Sequence, residues 1–251
     1  MKRQNLPMLL VLVLFVGPRC AHVPRSGDRT VITGAAHAGR SEDIMRGCEG
    51  ELLAAESHAL VGGSLAVDHD GKSGVGGGGG INIGRAEVVA ATIDGNDVTG
   101  PGYMFGSASG YLSYDAKLIG VDLGASLMLA GGEVIAAPIG TLKFGRIDHI
   151  WGELAIGPRD GYLDGEMLGL HLAGRSDDFS LRLGFGGYAR PLLLRDKGLM
   201  FGIDDSSLWP GVRFDFSVDV NDCWAITGGF VGSETWSGWL GVQRTFGGGQ
   251  R

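Results

Sequence analysis

The chain has 251 residues, a formal net charge of −7 and 20% charged residues. Its unusual feature is 47 glycines, where average usage is roughly 7%. No Gly-X-Y period runs through them, which excludes collagen. The 8 prolines are too few for a Pro-rich linker, and the acidic balance offers nothing to a nucleic acid.

The first element is an export signal, expected over residues 1–20. "MKRQ" supplies positive charge and "LPMLLVLVLFVG" a short apolar run. That run falls well short of the ~20 residues that span a bilayer as a helix. Cys20 follows directly, in "VGPRCAHVP". The placement resembles the start of bacterial lipoproteins, which implies lipidation of Cys20; the other outcome is ordinary cleavage nearby or after "AHA" at 36–38. Cys48 and Cys223 are the remaining cysteines, able to form a disulfide in an oxidising compartment.

Residues 21–58 are expected to form an N-terminal extension with a short helix at about 41–58. Ser41 can cap it, and Glu42 and Asp43 suit the positive end of the helix dipole. Ile44, Cys48 and Leu52 recur at spacing four.

From residue 59 to 246 the period becomes two. Ile119, Val121, Leu123, Ala125, Leu127 and Leu129 share one face of "KLIGVDLGASLML", with Gly120, Asp122, Gly124 and Ser126 on the other. Phe179, Leu181, Leu183 and Phe185 oppose Ser180, Arg182, Gly184 and Gly186. Val212, Phe214, Phe216, Val218 and Val220 oppose Arg213, Asp215, Ser217 and Asp219. Clusters of Gly, Asp, Asn and Ser separate such runs, as hairpin turns require. The pattern predicts an all-β fold: an antiparallel up-and-down β-barrel of about 12 strands, with 8–12 the range, and a tail at 247–251. A disulfide between Cys48 and Cys223 would tie the N-terminal helix to the barrel rim.

"AVDHDGKSGVGGGGG" (66–80) mimics a phosphate loop. Such a loop needs a helix right after the Lys-Ser, and five consecutive glycines cannot sustain one. The stretch instead predicts strand, Asp-Gly turn, strand.

Alternation does not say which face meets solvent. The polar faces carry Gly, Ser and Ala with a few ionic groups, whereas a soluble exterior is richer in Lys and Glu. The apolar faces carry large Leu, Val, Ile and Phe, too many for a small barrel interior. Trp209, Trp224, Trp236 and Trp239 fall near strand ends, where membrane barrels carry aromatic girdles. Together these turn the apolar face outward and make Asp122, Glu153, His171, Arg182, Arg213 and Asp215 the candidates for lining the lumen.

The end of the chain, "WLGVQRTF" (239–246), resembles the closing strand of bacterial outer-membrane β-barrel proteins. Leu240, Val242 and Phe246 occupy the alternating apolar positions, Gly241 the small one, and Arg244 interrupts the apolar face. The resemblance implies an outer-membrane location, contact with outer-membrane lipid and recognition by the barrel-assembly machinery. The expected role is structural or that of a minor, porin-like pore, with no cofactor, no metal and no catalytic residues. Two alternatives remain open: a soluble or lipid-anchored periplasmic barrel that binds an apolar ligand, and a lipid-modifying outer-membrane enzyme built on His149, His171, Ser176, Ser180 and Glu153. No small-molecule ligand is identifiable.

Overall fold

The computed structural model describes residues 28–46, 52–93, 96–98, 102–130, 133–147, 149–158, 166–176, 178–189, 208–233 and 236–247. The expected signal peptide, Cys20 and Cys48 lie outside them. Thirteen strands succeed one another in chain order: β1 Arg29–Arg46, β2 Leu52–Asp70, β3 Val75–Ile93, β4 Asn96–Val98, β5 Tyr103–Asp115, β6 Ile119–Ala130, β7 Glu133–Arg146, β8 Ile150–Ile156, β9 Glu166–Arg175, β10 Phe179–Ala189, β11 Leu208–Asn221, β12 Trp224–Gly232 and β13 Trp236–Gly247. Each pairs antiparallel with its neighbour, and β1 pairs with both β2 and β13, so the sheet closes. The three-residue β4 folds back on β3, which also pairs with β5. Twelve strands therefore make the ring.

The helix expected at 41–58 is not there. Residues 41–46 continue β1 and 52–58 begin β2, paired from Ser41↔His58 to Arg46↔Leu52. Ile44 lies on β1 and Leu52 on β2, so their spacing of four spans two paired strands rather than one turn-by-turn helix face. Pairing with β3 on the far side then outweighs the local helix signals. The barrel consequently starts at Arg29 rather than 59, and β13 carries it through Gly247.

The "DGKSG" stretch is a hairpin turn. Gly71 N–H donates to Val75 O and Gly74 N–H to Gly71 O, each at 3.0 Å. Gly74 has φ +79°, a conformation glycine adopts without penalty.

The alternation sorts side chains as a membrane barrel does. Leu112, Leu123, Phe185 and Leu240 point outward at 60–75% exposure. Asp122, Ser126, Glu153, His171 and Arg213 point inward and are buried. On β3 the outward residues are apolar or glycine from Val75 to Ile83, then change to the paired Arg85 and Glu87 (3.2 Å). That run of about nine residues matches the ~9–11 that cross a bilayer as a tilted strand. Trp236, paired with Arg40, lies at the same level. Tyr114, Phe144 and Phe246 ring the opposite edge of the outer face. There the guanidinium of Arg244 lies over Trp224 (5.2 Å) and Phe246 (4.7 Å), a snorkelling arrangement suited to an interface.

Trp239 departs from the girdle expectation. It shares the inward parity of the buried Ser237, and Arg213 lies 5.2 Å over its ring. The side chain of Trp209 lies outside the described residues.

Candidate functional site: the barrel lumen

The lumen is built by register. Glu153 on β8 faces His171 on β9, and Arg182 on β10 faces Asp215 on β11. Because every second residue points inward, adjacent strands stack these charges on one wall. Arg182 Nε lies 2.9 Å from Glu153 Oε2, and its Nη1 lies 3.5 Å from Asp215 Oδ2. Its Nη2 donates to His171 Nδ1 at 2.6 Å. His171 Nε2 meets Glu166 Oε1 at 2.5 Å. Arg213 closes the set, with Nη1 3.3 Å from Glu166 Oε2 and Nε donating to Asp215 Oδ2 at 2.7 Å. Trp151 Nε1 donates to Glu153 Oε1 at 2.8 Å.

Five of the six sequence candidates thus share one network, together with Glu166. The sixth, Asp122, sits nearer the turn end, where Lys143 Nζ bridges it (3.0 Å) and Asp115 (3.0 Å). Sequence reasoning missed Glu166, Lys143 and Trp239. Glu166 has the parity of the outward Leu168, Leu170 and Leu172, and only the register shift opposite Gly187/Tyr188 turns it inward, so alternation pointed the wrong way. Lys143 sits in "TLKFGR", whose period-two run was readable but is short.

Small residues make room for these side chains. A Cβ on Gly184 would run into the His171 ring, and one on Gly169 into Glu166 Oε1. The glycine run of β3 forms the facing wall. Gly78 lies beneath the hydrogen bond from Tyr111 OH to Asp68, and an added Cβ would collide with the Asp68 carboxylate.

The described residues line at least two cavities in the interior. One of about 650 Å³ opens at the end holding Arg29, the short turns and Gly247. The other, about 340 Å³, lies deeper, between the charged wall and the small residues of β1–β3. Asp68, Tyr111, Glu153 and Gln243 line both, so the cavities adjoin.

Among the alternative enzyme residues, both ring nitrogens of His171 are engaged, by Glu166 and by Arg182. That leaves no lone pair for a nucleophile. Ser176 Oγ donates to Phe179 O (3.3 Å) in the turn before β10. Cys223 is a free, buried thiol at the Arg29 end of the barrel. Arg46, the last described residue before Cys48, is at the other end of β1.

No protein-family model and no curated protein sequence matches the chain. Solved structures do. An outer membrane channel from Pseudomonas putida F1 is 12% identical with a TM-score of 0.52, over 92% of this chain and 100% of that one. A KdgM porin is 10% identical with a TM-score of 0.49, over 85% of this chain and 99% of that one. The closed twelve-strand ring and the likeness to the Pseudomonas putida channel make the resemblance to outer-membrane β-barrels one of fold.

Proposed function

We propose that the protein resides in the outer membrane and passes small polar solutes through its lumen. The observation that carries this reading is the inversion of the barrel: Leu183 and Phe214 are turned outward while Arg213, between two carboxylates, is 5% exposed inside. In water that arrangement would expose apolar surface all round the molecule; in a bilayer it satisfies both faces. An interior that held an apolar ligand would need on its inside the Leu, Val and Phe side chains that here face out. The adjoining cavities favour a water-filled passage over a fully plugged barrel. His171 is a poor base for the lipid-modifying alternative, since its ring is held by a carboxylate and a guanidinium.

The orientation follows from the connections. Both described ends of the chain lie at the Arg29 end, where every connection is two to four residues long, whereas connections at the other end run up to the 18 residues of 190–207; the end with uniformly short turns is periplasmic in such barrels. Contact with outer-membrane lipid and the assembly machinery belongs to the same proposal. The test is purification from the outer-membrane fraction, a heat-dependent shift in gel mobility, and reconstitution into planar bilayers. Stepwise ohmic conductance is expected; recovery from the periplasm without detergent would overturn the reading.

A further inference from the structure

We infer that the lumen selects for cations, so that its solutes are small cationic molecules entering or leaving through an acidic periplasmic mouth. The inference rests on the pore reading above and concerns which solutes that pore takes. Among the described residues, eight carboxylates and only three basic side chains line the 650 Å³ cavity. The carboxylates come from β2, β5, β6, β8 and β11 and from the turns flanking β10 and β11, so they surround the mouth rather than forming one patch. The basic groups are largely compensated: Arg29 Nε lies 2.6 Å from Asp70, and Lys143 lies between Asp115 and Asp122.

The deeper cavity decides the sign. A pore with an acidic mouth still passes anions if a fixed cation at its narrow part offers them a foothold. Here the lining cations are Arg182 and Arg213, and each is held by two carboxylates. Arg182 is shared by Glu153 and Asp215, and Arg213 by Glu166 and Asp215. Arg213 is also covered by Trp239. An anion would have to displace a carboxylate already paired at 2.7–3.5 Å. A cation meets carboxylate oxygens throughout. Low-dielectric walls focus such a field, raising the local counter-ion concentration by about tenfold or more.

The test is the reversal potential of the reconstituted full-length barrel under a KCl gradient. The expected value lies on the potassium side. Asp178, Asp219 and Asp222 line the mouth, are exposed and stand apart from the deep network. The triple variant Asp178→Asn/Asp219→Asn/Asp222→Asn should retain heat-dependent mobility and move the reversal potential at least halfway to zero. Asp215→Asn takes one of two carboxylates from each guanidinium, leaving Arg182 on Glu153 and Arg213 on Glu166, and should likewise move the potential toward zero. Conductance with a reversal potential at zero or on the chloride side in the unsubstituted protein overturns cation selection but leaves the pore standing. A triple variant with unchanged selectivity overturns it too. Absence of any conductance overturns the pore itself, and selectivity with it.

Discussion

Arg213 shows how closely the lumen is balanced. Its guanidinium lies between Glu166 and Asp215 and beneath Trp239, and both it and Glu166 are about 5% exposed. Removing one partner of such a buried set leaves charge without compensation, which costs about 3–5 kcal/mol. Arg213→Ala should therefore lower the urea midpoint of the barrel in detergent far more than removal of the exposed Arg85, whose partner Glu87 is also exposed. Equal losses would mean that water already screens the interior. The glycine beside the network makes a second case. Gly184→Ala drives a Cβ into the His171 ring and should cost about 1–3 kcal/mol through overpacking. Gly34→Ala, with nothing within 4 Å of its Cβ, should be near neutral in the same unfolding assay. Which residues face inward was legible wherever a strand runs without a bulge, because parity then decides it; Glu166, turned inward by the register shift at Gly187/Tyr188, is the exception. Which of them touch was not, because contacts such as Glu166 with Arg213 depend on register between β9 and β11 across β10, and no single strand encodes that.

The first hairpin and the run from β10 to β11 show what a strand-by-strand reading can and cannot hold. β10 and β11 pair directly although residues 190–207 separate them in the chain. β1 lies in the segment expected to be an extension, so the ring includes a strand that a reading from residue 59 leaves out. The total of twelve is right, but its members differ. β6 was legible throughout, since six apolar residues alternate over "KLIGVDLGASLML" without a bulge. It therefore offers the sharpest check of facing. Leu123→Cys should react with a maleimide delivered from the lipid phase, and Asp122→Cys only with a small polar reagent entering the lumen; the opposite pattern would put Asp122 in hydrocarbon. By the same facing, Leu123→Arg should destabilise the barrel by about 2–4 kcal/mol in lipid bilayers, read as a shift in its folding midpoint.

At the scale of the whole molecule the two ends are unlike. The Arg29 end holds both described chain ends, the acidic mouth and turns such as Gly71–Gly74 and Asp222–Cys223. At the opposite end β1, β2 and β3 run 18, 19 and 19 residues, well past the ~9–11 that a bilayer needs, and β10 is joined to β11 by residues 190–207. An exported chain reaches the outer membrane from the periplasm, and a strand number of twelve returns its last strand to the side where the first began. In the proposed outer-membrane orientation the long strands extend outward from the cell and the acidic mouth faces the periplasm. A short epitope inserted between Ala189 and Leu208 should be bound by antibody on intact cells. The same epitope inserted between Asp222 and Cys223 should be bound only after the outer membrane is permeabilised. If the second site were reached on intact cells and the first were not, the barrel would be inverted, and the acidic mouth would receive its cations from outside the cell rather than from within.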